Sequence, residues 1–269
     1  MFNLLRMDLR RLFRTRSFYI VLAVTAAIIV FMSVMMAAVA DPERLEALES
    51  TGVVVTDGSD GEIRAELMRM TQLEFAHECM GSGFLLIMVG IGVTLFVHND
   101  FSSGFVKNIC AVRPRRPEYV LSKALVAGVY SAALTVLGIL LLTTLPILAG
   151  LPLTASPVAR ILQYSFWLWL PCWAFGLTGV LLVLLTRGTT LGILVAVFSG
   201  GGVVAMLVQG LCQKFGWPNF AQYLLSMVVG SQCVPMLGIE QMNMILGCAA
   251  WWAGVYLAGS LIMMEKRDI

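Results

Sequence analysis

Long apolar stretches separated by short clusters of charge dominate the pattern along this chain. Seven stretches contain no charged residue over about the 20 residues that a helix needs to cross a ~30 Å hydrocarbon core. They run over 17–40, 79–99, 124–159, 161–186, 188–213, 215–239 and 241–264. The 36 residues of the third could hold more than one span, but Pro146, Gly150, Pro152 and Pro157 break its second half into a loop. The sixth carries Trp217, Pro218, Asn219, Gln222, Ser231, Gln232 and Pro235. That mixture predicts an interfacial or re-entrant hairpin rather than a lipid-exposed span. Six membrane-spanning helices are therefore expected. The first is read as retained: its 24-residue apolar run exceeds the about 7–15 of a signal peptide, although Ala38-Val39-Ala40 resembles a cleavage site.

Composition agrees with this pattern. Of 269 residues, 59% are hydrophobic and 13% charged, with a mean hydropathy of +0.86. A globular domain carries about 25% charged residues, so too little solvating surface exists for a soluble enzyme, a disordered tail or a disulfide scaffold. The expected fold is all-α and integral to the membrane, as a single transmembrane domain over 1–269.

Charge orients the spans. Thirteen of the eighteen Lys and Arg residues lie at 6–16, at 107–123, at Arg187 and at 266–267, which fall on one side of a six-helix arrangement. Short basic loops stay cytoplasmic, so both termini are expected inside, in the cell inner (cytoplasmic) membrane. The segment 41–78 holds ten of the sixteen acidic residues and reads as an acidic extracytoplasmic cap. A second extracytoplasmic segment, re-entrant, covers 212–240.

Two cytoplasmic elements carry further information. On a helical wheel, Phe2, Leu5, Leu9, Leu12 and Phe13 share a face opposite Arg6, Arg10, Arg11 and Arg14. This predicts an interfacial helix over 1–16, its arginines toward anionic lipid head groups. In the loop 99–119, Ser102 or Ser103 can cap a short helix with Phe105, Val106, Ile109 and Val112 on one face, followed by Arg113-Pro114-Arg115-Arg116-Pro117. Such a helix is too short to cross the membrane and suits docking to a cytosolic partner better than a plain solvated loop.

Enzyme motifs are absent. His77-Glu78 lacks the second histidine of an H-E-x-x-H site, Gly81-Ser82-Gly83 lacks a serine-nucleophile context, and no G-x-x-x-x-G-K-[ST] occurs. No metal site is expected from two histidines on opposite sides of the second span. The six cysteines, Cys79, Cys110, Cys172, Cys212, Cys233 and Cys248, form no C-x-x-C; Cys212 and Cys233 flank the hairpin, and their pairing is left open. Ser199-Gly200-Gly201-Gly202, within the fifth span, is read as a place for close packing or bending. Gly188/Gly192 and Ala250/Gly254 have the spacing of close helix contacts.

Asp100, Gly104, Pro114, Arg116 and Lys123, in that order and spacing between the second and third spans, resemble the pattern of the membrane-spanning permease subunits of type-2, exporter-type ABC transporters. The amphipathic first helix, the re-entrant segment before the last span and the tail Glu265-Lys266-Arg267-Asp268 are also similar to that family. Phe105 stands where the family usually has threonine, and Asp100 where glutamate is commoner. The resemblance implies a permease without enzymatic activity or cofactor of its own. It would form the translocation path with a second permease, identical or related, and bind two copies of a cytosolic ATP-binding subunit that hold ATP and Mg. Membrane lipids are the other expected partner, and nucleic acid is not one. The ATPase-coupling interface is expected at Asp100, Gly104, Phe105, Lys107, Ile109, Arg113, Arg115 and Arg116. The substrate would be an antimicrobial peptide, a drug or a lipid. An ion-coupled secondary carrier and a non-transporting membrane scaffold are the alternatives. Carriers usually need ionisable groups inside the membrane, and between 124 and 264 only Arg160, Arg187, Lys214 and Glu240 are charged, all at span boundaries.

Overall fold

The computed structural model describes residues 2–40, 69–106, 116–151 and 153–266. Among these residues the secondary structure is helical, apart from one isolated bridge between Thr71 and Thr154. In chain order the helices are α1 (Phe2–Arg14), α2 (Arg16–Ala40), α3 (Gln72–Gly81), α4 (Phe84–Ser102), α5 (Arg116–Leu148), α6 (Val158–Thr186), α7 (Thr190–Gly200) and α8 (Val203–Phe215). A 3-10 turn η1 (Phe220–Tyr223), α9 (Leu225–Ser231) and α10 (Ile239–Lys266) follow.

Five helices, α2, α4, α5, α6 and α10, are long and apolar enough to cross a membrane, and the bent pair α7–α8 brings the number to six. Helix α6 is the hub, packing on α4, α5, α7 and α10, while α2 lies against α5. The periphery is apolar as well: Phe31, Leu140, Leu162 and Met206 are exposed. In water those side chains would be a liability, whereas in hydrocarbon they are the solvated surface. The protein is an all-α integral membrane protein.

Two boundaries differ from the sequence reading. The second stretch does not begin its span at Cys79. Thr71 closes a capping box with Glu74 that starts the separate helix α3, and the chain breaks at Ser82-Gly83 before α4. The fifth stretch is not straight: α7 and α8 meet at 61° across Gly201-Gly202, with Gly202 at φ +78°. That bend is the use expected for the glycine run. After α4 the chain turns at Ser103-Gly104 and is helical again at Phe105 and Val106, beyond which it lies outside the described residues; the Ser102 and Ser103 hydroxyls donate back to the carbonyls of Asn99 and Asp100.

Residues 216–238 return to the bundle through η1 and α9, both too short to cross; η1 packs on α8 and α9, and α9 packs on α6, α3 and α10. This is the hairpin expected before the last span. Gly188/Gly192 serves a contact within the chain: a Cβ on Gly192 would stand 2.6 Å from Thr94 Cγ2, whereas Gly254 on α10 has open space beside it. The described cysteines, Cys79, Cys172, Cys212, Cys233 and Cys248, are free and buried, so Cys212 and Cys233 are not paired. Most of the acidic cap, 41–68, lies outside the described residues, as do Lys107–Arg115, which include Cys110.

Candidate functional site

Where α1, the end of α4 and the start of α5 converge, four charged side chains meet. Helix α1 stops at Thr15, whose hydroxyl donates to the Arg11 carbonyl, and α2 sets off from Arg16. The amphipathic α1 is thereby laid across α5, with Leu12 buried and Leu5 and Leu9 against the core. On the same side α1 carries Asp8.

Lys123, in the second turn of α5, places its ammonium 2.8 Å from Asp8 Oδ1 and 2.5 Å from Asp100 Oδ2. The side chains of Lys123 and Asp8 have no exposed surface, and Asp100 retains 1%. Arg11 completes the group, its Nη1 2.9 Å from Asp100 Oδ1. Two cations thus face two anions. The neutral sum matters, because an unpaired charge withdrawn from water costs several kcal/mol.

Neutral donors and aromatic rings fill the remaining directions. Ser122 Oγ donates to Asp8 Oδ2 at 2.7 Å, and the Tyr119 hydroxyl donates to Asp100 Oδ2 at 3.3 Å. The Lys123 ammonium lies 4.9 Å from the centre of the Phe96 ring and 5.1 Å from that of Tyr119. The Arg11 guanidinium lies 3.8 Å over the Phe105 ring. Cation–π contacts of this kind contribute about 0.5–2 kcal/mol, the larger figure when desolvated. Phe105 is half-buried and the adjacent Val106 is buried, so the chain leaves α4 anchored to the cluster.

The sequence-predicted residues fare differently. Asp100 is in the cluster, and Phe105 is its lid on the Arg11 side. Gly104 adopts φ +69° with open space around it, which permits the sharp turn after α4. Lys107, Ile109, Arg113 and Arg115 lie outside the described residues, and Arg116 opens α5. On α1, Arg6, Arg10 and Arg14 are exposed as a head-group-facing stripe requires, but Arg11 turns to Asp100 instead. Asp8, Tyr119 and Ser122 went unread. The available signal was Asp8 itself, the only acidic residue in the first forty and a neighbour of Leu5 and Leu12 on the helical wheel.

At the opposite end of the bundle, Gln72 and Ser156 tie α3 to the start of α6: the Ser156 N–H donates to Gln72 Oε1 at 3.1 Å. His77 Nδ1 lies 3.3 Å from the Tyr164 hydroxyl. Burial lowers the His77 pKa below its usual 6.5, against the opposing pull of Glu78. No group of three or more metal-ligating side chains occurs among the described residues. No protein-family model and no curated protein matches this chain.

Proposed function

We propose that the chain is the permease subunit of an ATP-driven exporter, sited in the cytoplasmic membrane with both termini inside. It forms the translocation path with a second permease and is driven by two cytosolic ATPase subunits that carry ATP and Mg. The observation that carries this reading is the neutral, buried charge cluster that holds Asp100 at the end of α4 and Phe105 just after it. Sliding either Asp100 or Asp8 away from Lys123 would uncover buried charge at a cost of several kcal/mol. Helices α1, α4 and α5 therefore move as a unit, and a push on the loop passes to the spans rather than being absorbed locally. Nucleotide acts through its differential affinity for the two arrangements of the ATPase pair. Peptides, drugs and lipids are the substrate classes that fit.

The buried carboxylates also bear on the carrier alternative. A proton- or ion-coupled carrier needs an acidic group able to take up its ion, and here Asp8 and Asp100 are each already paired with a cation. That arrangement favours a structural and mechanical role.

Substitutions in the loop provide the test. Phe105→Ala removes a partly buried aromatic anchor and should lower recovery of the ATPase with the tagged chain about 30-fold, whereas Lys107→Ala should change it a few-fold at most. Wild-type recovery with Phe105→Ala, together with its loss in Arg113→Ala and Arg115→Ala, would make the docking electrostatic and remove Phe105 as its anchor.

A further inference from the structure

A cavity of about 650 Å³ opens between α8, η1 and α10, far along the chain from the charge cluster. Val208, Phe220, Tyr223, Met244, Gly247 and Trp251 line it. Trp251 is 70% exposed at its rim, and Cys248, buried and free, also lines it. Leu224 and Trp252 form a wall shared with a smaller recess deeper in the bundle. The indole of Trp252 is fixed, its Nε1 donating to the Tyr223 carbonyl at 2.8 Å and its ring stacking on Tyr256.

The deeper recess differs in chemistry. Thr178, Ser199, Ser226 and Tyr256 bring hydroxyl groups to it. Thr178 is 9% exposed, and its Oγ1 interacts with the Tyr256 side chain rather than with a helix carbonyl. Serine and threonine hydroxyls within helices usually donate to the carbonyl four residues back, as Thr143 and Ser260 do in this chain. A buried hydroxyl without such a bond, beside a second one, is set up to receive a polar group from elsewhere. Neither lining contains a charged residue.

We infer that this cavity and its recess form a binding site for an uncharged amphipathic molecule: an aliphatic or aromatic body against the tryptophans, and a neutral hydrogen-bonding head toward Thr178 and Tyr256. Charge is selected against, because an ion placed there would lose water and find no counter-charge. The size suits one small-molecule ligand, since such sites typically span about 300–1,000 Å³ with mostly apolar walls and a few polar groups. That this ligand is also the exported substrate rests on the permease reading; the site itself is a property of this chain alone.

Photolabelling of the full chain in nanodiscs tests the site without any ATPase. The probe is octanol bearing an alkyl diazirine, with cross-links mapped by peptide mass spectrometry. Gly247 and Gly254 lie on the same exposed face of α10 and both have open space at Cβ, but only Gly247 lines the cavity. Saturable labelling is expected at Tyr223, Met244 or Trp251. Gly247→Phe should lower it about 10-fold or more while Gly254→Phe changes it less than about 2-fold. Octanol should compete about 10-fold better than octanoate or octyltrimethylammonium. Non-saturable labelling would show bulk lipid contact and overturn the site. Equal competition by the charged compounds, or equal labelling in Gly247→Phe, would overturn it too. Loss of labelling in Gly254→Phe together with a change from dimer to monomer would assign this face to a second copy of the chain.

Discussion

Lys123 on α5 and Asp8 on α1 face each other at 2.8 Å, both side chains wholly withdrawn from solvent. This contact converts an amphipathic N-terminal segment into a fixed part of the bundle. Removing one partner of a buried ion pair leaves an uncompensated charge, which typically costs about 3–5 kcal/mol. Lys123→Met, which leaves Asp8 and Asp100 facing each other, should therefore destabilise the folded protein by about that amount in denaturant titrations in micelles. Asp8→Asn should cost less, since Lys123 keeps Asp100. A Lys123→Met protein as stable as wild type would show that the cluster contributes nothing to holding α1.

A second prediction separates close packing from backbone strain. Gly83 and Gly202 both have φ near +80°, but a Cβ on Gly83 would lie 1.8 Å from the Gly200 carbonyl oxygen, while Gly202 has open space. Gly202→Ala should cost about 1–2 kcal/mol, the ordinary left-handed penalty. Gly83→Ala must also push α4 from α7 and should cost about 1–3 kcal/mol more. Equal losses in the two variants, read from the same denaturation assay, would contradict the α4–α7 contact.

The state of His77 gives a pH dependence of defined sign. Burial lowers its pKa in the folded protein below 6.5. Between the folded value and 6.5 the unfolded chain binds the extra proton, so stability rises with pH across that window and is lost as pH falls through it. Above 6.5 the contribution is complete. The thermal midpoint of wild type should fall relative to that of His77→Gln as pH drops from 7.5 to 5, and parallel curves would exclude His77 as the source.

Much of this architecture was legible in the chain. The spans α2, α5, α6 and α10 follow from uncharged runs, and the polar mixture at 215–239 marks η1 and α9 as a hairpin. The break before α4 was harder to see, because Cys79, Met80 and Phe84 are as apolar as a span, and only the Thr71/Glu74 capping box and Gly83 punctuate them. The cluster was half legible: Asp100 and Lys123 stood out by spacing, while their convergence on Asp8 is a long-range contact that no local periodicity encodes. Arg11 misled for a related reason, since its position on the polar stripe of α1 says nothing about a carboxylate arriving from α4.

Topology offers an independent check on the proposed orientation. Residues 41–78 and 212–240 should be accessible from outside intact cells and residues 99–119 only from inside, as the one-sided distribution of Lys and Arg requires. Single cysteines introduced at positions 60 and 108 in a cysteine-free background, treated with an impermeant maleimide, should label only at 60. Labelling at 108 would invert the arrangement and place the loop out of reach of ATP.

The most direct measurement is the composition of the native complex. The tagged chain, extracted from its own membranes under mild conditions and weighed by native mass spectrometry, should appear as two permeases with two copies of a cytosolic ATPase. Recovery of the chain alone, or with partners that neither bind nor hydrolyse ATP, would contradict the account.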